Sequence, residues 1–521
     1  KPIHGMSLSR LYHCFLIVIC CCLPLMGAAQ ESERDSLPSH SLVYVREADT
    51  YLRYFSRLSG TDFTSNLDEF HHSFSQIKAG YQHDNTSLPL DAQQGSGAEL
   101  MFFRAQSHMK TSKNAVAWGE ACYENGRRMG ISWNLNSDYK RVFPYVIADT
   151  TTLSMLREYY LFRGGYAHQL NKLALGAELS YRSTTEYRDV DPRPKNTSLD
   201  VQVRLGAGYA VSAQRMVGLT VGAGRYNQQS NVLFMNPQGN RVLYHLMGLG
   251  MQYFRFKGLQ NAVKYEGSNY LIGLSTYTKN RMGLQASADL AYETVQKRLA
   301  SERDVPICDA FQTTWRGDVS WIGQRKQWTY KVTLNVEAVE RDGQERFYDS
   351  GLTNYQQIAS ARPFVFQRQM MCLSVTALRR FSPLTWLIIQ PNVAYEVQNT
   401  QYIMPVRQLK TAFMIPSLQM KVSRLFSKSL LSVGLQTAVG RQMHHHFVFD
   451  EPELFDKPVE MFRNNAAMQQ ANYCDAALEV RYDVQLIKAL SSVFVQITAG
   501  HRWFDNHQKA YNTELSVGVT L

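Results

Sequence analysis

Long apolar segments are missing from this sequence beyond its first 30 residues. No run of 18 apolar residues occurs there, whereas a transmembrane helix needs about 20 predominantly apolar residues. This absence disfavours a helical membrane protein. It does not exclude a membrane barrel, because the alternating polar and apolar side chains of barrel strands average to an ordinary mean hydropathy. The mean hydropathy here is −0.30.

Catalytic and metal-binding motifs are missing too. The chain contains no GxSxG, HExxH, GxGxxG or Walker sequence. Four of the eight cysteines lie in the first 30 residues, and Cys122, Cys308, Cys372 and Cys474 show no CxxC pair and no zinc spacing. We therefore predict no enzyme, no metal site and no cofactor. We expect four unpaired thiols, although export would permit their oxidation.

One histidine cluster resembles a metal site only superficially. His444, His445 and His446 precede Asp450, Glu451, Glu453 and Asp456 in a predicted external loop. Adjacent histidines on a loop do not define a coordination geometry, so we predict no metal there. The net charge of +11 is spread along turns and not clustered with aromatic residues, which disfavours nucleic-acid binding.

The N-terminus predicts export. An apolar stretch over residues 14–26 follows Lys1 and Arg10 and precedes the small residues Gly27, Ala28 and Ala29, as in a signal peptide. We predict a signal peptide over 1–29, cleaved after Ala29, with a lipoprotein as the alternative. Residues 30–70 are predicted to be a periplasmic lead-in or plug-like segment, and residues 71–521 a barrel.

The last eleven residues carry the pattern that predicts this barrel. Tyr511, Leu515, Val517 and Val519 alternate with Asn512, Glu514, Ser516 and Gly518, so one strand face is largely apolar and the other polar. Eleven residues are enough to cross a bilayer when tilted. A lone strand cannot do so, because hydrocarbon offers its backbone no hydrogen-bond partner.

Similar segments recur along the chain from His72 onward. One opening strand, eight hairpins and this closing strand give about 18, with a range of 16–20, because 241–257 can hold further strands. The fold class is therefore all-β, a transmembrane antiparallel barrel with short periplasmic turns and long extracellular loops. The long loops are predicted over 125–154, 227–267 and 441–471. Each of the eight short turns carries Lys or Arg and no acid, which suits contact with lipid phosphates.

The polar strand faces carry charges of both signs. A charge facing lipid near the midplane would cost about 2–4 kcal/mol, so these side chains are predicted to face the lumen. Pairing within an occluded lumen and lining of a solute path both remain open. The lumen-facing candidates are Glu178, Arg182, Asp200, Arg204, Asp289, Glu293, Lys331, Glu337, Glu479, Arg481, Asp483 and Glu514.

The leader ending at Gln30, the alternating hairpins and the terminal strand 515–521 together resemble the outer-membrane barrels of Bacteroidota-type bacteria, in one of their families of unknown function. The resemblance covers residues from about 40 to the end. It implies contact with outer-membrane lipids and recognition of the last strand by the barrel-assembly machinery. That strand usually closes on an aromatic residue in such proteins, and here it closes on Leu521.

The expected location is the outer membrane, and the expected function is a channel or transporter for a solute, since barrels of 16–18 strands can enclose an aqueous lumen. A surface receptor or docking barrel with an occluded lumen is the alternative, with a surface lipoprotein or a solute as its partner. An outer-membrane enzyme is the third hypothesis.

Overall fold

The computed structural model describes residues 40–56, 62–68, 72–236, 242–258, 262–349, 355–449, 456–486 and 491–521. The predicted signal peptide and its cleavage site lie outside the described residues. Within these ranges, the chain forms mainly antiparallel strands.

Eighteen strands form one sheet. They are β1 (Phe74–Thr86), β2 (Gly97–Ser112), β3 (Ala115–Ser132), β4 (Thr152–Leu170), β5 (Leu173–Tyr187), β6 (Arg193–Ala210), β7 (Arg215–Leu233), β8 (Ala262–Thr278), β9 (Gly283–Leu299), β10 (Val305–Arg325), β11 (Trp328–Tyr348), β12 (Gln357–Arg380), β13 (Thr385–Tyr402), β14 (Arg407–Leu425), β15 (Ser429–Phe449), β16 (Tyr473–Val484), β17 (Ser492–Phe504) and β18 (Lys509–Thr520).

The sheet closes on itself. Strand β1 pairs with β2 on one side and with β18 on the other, where Gln76 lies opposite Thr520, and β7 pairs with β8. Closure leaves no unpaired edge, as a membrane barrel requires. The predicted count of 18 strands is confirmed. We call the rim that carries the short turns the turn end and the opposite rim the loop end.

Side chains alternate between lipid and lumen along each strand. On β6, Leu199, Val203 and Leu205 are exposed on the outer surface, whereas Ser198 and Asp200 are buried inside. This alternation follows from the two-residue period of a strand. It confirms the pattern that predicted the fold.

Exposed aromatic residues form a ring around the outside of the barrel. Tyr181 lies eight residues from Leu173 at the turn end of β5, and Tyr395 lies ten residues from Thr385 at the turn end of β13. At about 3.3 Å per residue and a tilt of about 40°, nine residues rise about 23 Å, close to the apolar band of such barrels. The ring comprises Tyr81, Tyr160, Tyr181, Tyr270, Tyr292, Trp315, Tyr395 and Tyr511.

The strands therefore extend well beyond this aromatic ring. Tyr181 and Tyr292 lie well inside β5 and β9, whereas Tyr511 is the third residue of β18. The predicted loop over 125–154 was wrong at both edges, because β3 continues to Ser132 and β4 begins at Thr152. Likewise, β7 continues to Leu233 and β15 to Phe449. Above the ring most outward side chains are polar, with exceptions such as Leu199 and Leu233, so the regular alternation of the sequence ends before the strands do.

The loop end is filled by two segments that we call the inner loops, residues 133–151 and 242–258. They contain α2 (Tyr139–Val142) and the short strands Ile147–Ala148, Tyr244–Gly248 and Met251–Gln252, which pair with each other. Their side chains belong to the largest buried apolar cluster, which also includes Phe364 and Tyr402 from the wall. The further strands expected within 241–257 exist, but they lie inside the barrel and not in its wall.

Polar side chains of the inner loops are buried with partners. Asn136 is fully buried; its amide nitrogen donates to Ser230 Oγ at 2.9 Å, and its oxygen accepts from the Ile147 backbone N–H at 2.7 Å. Such pairing offsets the cost of burying an amide. The prediction that 125–154 and 227–267 form surface loops was therefore wrong for the inner loops.

Two α-helices besides α2 accompany the barrel in the described part of the chain. Helix α1 (His40–Tyr54) and the 3-10 turn Phe63–Asp68 cover the turn end, and α3 (Asp456–Gln469) follows β15 at the loop end. No described helix is long and apolar enough to cross a membrane. Cys122, Cys308, Cys372 and Cys474 form no disulfide among the described residues, and Cys122, Cys308 and Cys474 are buried.

Candidate functional site

A cavity of about 1190 Å³ lies inside the loop end, partly open to solvent. Its walls combine the inner loops, α3, the β1–β2 loop and the lumen faces of β3–β6 and β9–β17. Its charged lining residues are the cations Arg128, Lys140, Arg141, Arg157, Arg182, Arg341, Arg368 and Arg502 and the acids Asp91, Asp138, Asp200, Glu293 and Glu396.

The inner loops are tied to the wall of this cavity by ion pairs. Arg182 donates to Asp138 at 2.7 Å and lies 3.4 Å from Asp200. Arg141 lies 3.3 Å from Asp200 and 2.9 Å from Glu293. Burial acts to raise the pKa of Asp138, but the Arg182 guanidinium holds it below its ordinary value. Three sequence-predicted residues, Arg182, Asp200 and Glu293, therefore meet the inner loop.

A row of five alternating charges, which we call the charge belt, crosses five adjacent strands from β9 to β13. Arg316 lies 3.2 Å from Asp289 and 3.3 Å from Glu337, and Arg368 lies 3.5 Å from Glu337 and 2.9 Å from Glu396. Arg316 is 46% exposed, so the belt faces open space. Arg368 and Glu396 also line the cavity.

Two further sets of predicted charges lie on the opposite wall. Glu514 is 2.9 Å from Lys78 and 3.7 Å from Arg104. Glu178 accepts hydrogen bonds from the Trp118 ring N–H at 2.8 Å and from Arg204 Nε at 3.0 Å. These contacts join adjacent strands or strands separated by one other strand, which favours a structural role for them.

Helix α1 is held at the turn end by a four-residue ion-pair network. Asp49 pairs with Lys421 at 2.5 Å and with Arg53 at 3.2 Å, and Glu479 pairs with Arg53 at 2.7 Å and with Lys421 at 3.6 Å. Burial acts to raise the pKa of Asp49, yet Lys421 and Arg53 lower it to about 2. The network therefore fastens the helix to β14 and β16.

The remaining predicted charges lie near the same helix. Lys331 donates to the carbonyl of Ser56 at 2.8 Å. Arg481 makes two hydrogen bonds of 2.8 Å to Asp483 and lies over the Phe494 ring at 3.8 Å. Asp483 also accepts from Ser492 Oγ at 2.8 Å.

Glycines on three adjacent strands form a recess that receives the chain after α1. We call Gly176, Gly206, Gly208 and Gly218 the glycine socket. A Cβ added at Gly176 or Gly206 would lie 2.9 Å from the Phe63 ring, closer than real Cβ contacts allow. Asp62, 1% exposed, accepts from the Thr64 backbone N–H at 2.9 Å and from Ser275 Oγ at 2.5 Å. Only glycine leaves room for this segment.

The histidine cluster does not lie in a loop, as the sequence analysis predicted. His444, His445 and His446 are exposed on β15, paired with Ala412, Thr411 and Lys410. Within the described ranges no group of three or more His, Cys, Asp or Glu residues can hold a metal ion. Asp450, Glu451 and Glu453 lie outside those ranges.

Comparison with protein families gives one match, which covers residues 66–521. The chain belongs to DUF6850, a family of unknown function. A search of curated proteins returned no match.

Solved structures similar to this DUF6850 chain are outer-membrane barrels. The siderophore receptor PiuA from Acinetobacter baumannii gives a TM-score of 0.38 at 6% identity, covering 87% of this chain and 82% of that one. The ferric-catecholate import receptor Fiu from E. coli K12 gives 0.38 at 6% identity, covering 86% and 81%. The copper transporter OprC gives 0.39 at 7% identity, covering 86% and 81%.

The sequence did not reveal which residues of the inner loops line the cavity. Lys140 and Phe143 belong to a stretch whose polar composition predicted solvent exposure. The apolar run 242–251 was the available signal, because such a run is unusual in a surface loop. The glycine socket also went unnoticed, since its glycines fit the polar face of the strands.

Proposed function

We propose that this barrel is an outer-membrane protein for capture and uptake of a solute. The solute enters the cavity at the loop end, which faces outside. The N-terminal segment, residues 40–56 and 62–68, acts as a plug at the periplasmic turn end. The charge belt lies between the cavity and the plug, and it lines the path that opens when the plug leaves.

The docked N-terminal segment is the observation that carries this proposal. It sits in a glycine socket that fits it and is held by ion pairs that include Asp49–Lys421. Its contacts with the wall combine ion pairs with three small apolar clusters, and these clusters are separate from the large cluster at the loop end. The cavity at the other end is large enough for an organic solute.

Conductance in planar bilayers tests this function. We expect the full-length barrel to conduct little and a variant lacking residues 31–70 to conduct well. The deletion variant must retain the heat-modifiable barrel band in gels, which shows that it folds. Absence of conductance from the folded deletion variant would contradict uptake.

A receptor with an occluded lumen is the second candidate, favoured by the buried inner loops. It predicts a folded deletion variant that binds a partner and does not conduct. Contact with outer-membrane lipids and insertion by the barrel-assembly machinery belong to both proposals.

A further inference from the structure

Two cations of the cavity form no ion pair with a carboxylate among the described residues. Lys140, on α2, is exposed into the cavity and forms no ion pair within the described chain. Arg341, on β11, is 5% exposed. Its Nη1 donates to the carbonyls of Lys140 at 2.8 Å and Phe143 at 2.7 Å, and its Nε to Gln312 Oε1 at 2.9 Å. All three acceptors are neutral.

The other central cations of the cavity are compensated by carboxylates. Arg182 pairs with Asp138 at 2.7 Å and Arg368 with Glu396 at 2.9 Å. Glu293 acts on Arg341 electrostatically but is paired with Arg141 at 2.9 Å. Lys140 and Arg341, joined through the Lys140 backbone carbonyl, are therefore two lining cations without an ion pair in the described ranges, whereas the lining carboxylate Asp91 has only neutral hydrogen-bond partners there.

Aromatic side chains adjoin these two cations. Phe143 follows Lys140 by three residues, and Phe366 lies opposite Arg341 in the β11–β12 register. The Phe143 and Phe366 rings are 6.0 Å apart, edge to face. Both are partly buried and line the cavity, as do Phe413, Phe447 and Phe462. A planar or acyl group can rest on these rings while an anion contacts the cations.

We propose that the cavity binds an organic anion, in which a carboxylate, sulfonate or phosphate is carried on a ring or short apolar chain. The anionic group contacts Lys140 and Arg341, and the apolar part contacts Phe143 and Phe366. This proposal rests on the proposed function, because it names the class of solute that the cavity captures.

Calorimetric titration of the full-length barrel in detergent tests whether the cavity binds such an anion. The probes are naphthalenesulfonate, its neutral isostere naphthalenesulfonamide, and inorganic sulfate. We expect the sulfonate to bind at least about tenfold more tightly than either other probe, since a charge-assisted contact and ring burial each contribute. Lys140→Gln should weaken sulfonate binding about tenfold. The conservative variant Arg341→Lys, which keeps the charge, should weaken sulfonate binding by a smaller factor. Lys195→Gln removes an equal charge from an exposed position outside the cavity and should change nothing.

Three results with the unaltered protein or the Lys140→Gln variant would overturn the inference: equal binding of sulfonate and sulfonamide, unchanged sulfonate binding by Lys140→Gln, or no sulfonate binding at its highest soluble concentration. None of them bears on conductance after removal of residues 31–70. Failure of the anion site and failure of uptake are therefore distinguishable. An equal loss of binding with Lys195→Gln would show general electrostatic attraction, which also contradicts a specific site.

Discussion

The two ends of the barrel are filled in different ways. At the loop end, the inner loops are continuous with the wall strands and share its largest apolar cluster. At the turn end, the N-terminal segment reaches the wall through an ion-pair network, the glycine socket and small apolar clusters. The extensive apolar burial at the loop end contributes to the stability of the barrel itself. The contacts of the N-terminal segment at the turn end can be broken while the wall stays intact.

The largest expected effect comes from the loop end. Phe364 is fully buried and its ring packs edge-to-face against Phe143 at 5.4 Å. Phe364→Ala should lower the free energy of unfolding by about 3–5 kcal/mol, because the cavity left behind is not refilled. Guanidinium unfolding in lipid vesicles measures it.

The matched variant at the turn end is Phe55→Ala, since Phe55 is 1% exposed in a cluster with Trp386 and Ile388. It should release α1 while the unfolding midpoint of the barrel stays near that of the unaltered protein. Equal midpoint losses for the two variants would show that the two ends are equivalent.

A smaller effect is expected from the ion pairs of α1. Lys421, 1% exposed, contacts Asp49 and Glu479. Lys421→Met leaves both acids with Arg53 alone and should weaken α1 docking by about 2 kcal/mol, less than a fully buried pair because Arg53 remains. Hydrogen exchange of the α1 amides measures it. Asp49→Asn in the same chain should restore part of the protection, and no recovery would contradict a direct pair.

The smallest effect concerns the glycine socket. Gly206→Val places side-chain atoms against Phe63 and should weaken docking by about 1–2 kcal/mol, as overpacking does. Bilayer conductance should rise, with the barrel intact. The control is Gly317→Val, since an added Cβ there meets nothing within 4 Å. A similar conductance for both variants would mean that the socket does not hold the segment.

The barrel itself was predictable because lipid and lumen impose opposite chemistry on adjacent residues. Val203 is exposed on the outer surface of β6, whereas the next residue, Arg204, is tied to Glu178 in the lumen. The strands repeat this contrast below the aromatic ring. Above it most outward side chains are polar and the contrast weakens, so the ends of β3, β7 and β15 were predicted several residues too early.

The inner loops were not predictable by the same rule. Asn134, Asn136 and Ser137 are polar and yet fully buried, because their partners come from distant parts of the chain, such as Ser230 and Gln228. Composition alone cannot distinguish a polar residue in water from one satisfied by a remote side chain. Lys140 and Arg341 meet through a contact of this long-range kind.

The aromatic ring has a consequence for how binding relates to transport. Arg316 and Glu396 of the charge belt directly follow Trp315 and Tyr395 of the ring, so the belt is level with the upper boundary of the hydrocarbon. Lining residues nearer the loop end, such as Asp91 and Asn465, stand higher still. On the uptake proposal, a solute in the cavity would therefore not yet have begun to cross the bilayer. Occupancy and flux would then be separate quantities, and a tight ligand would saturate the cell surface without entering the cell.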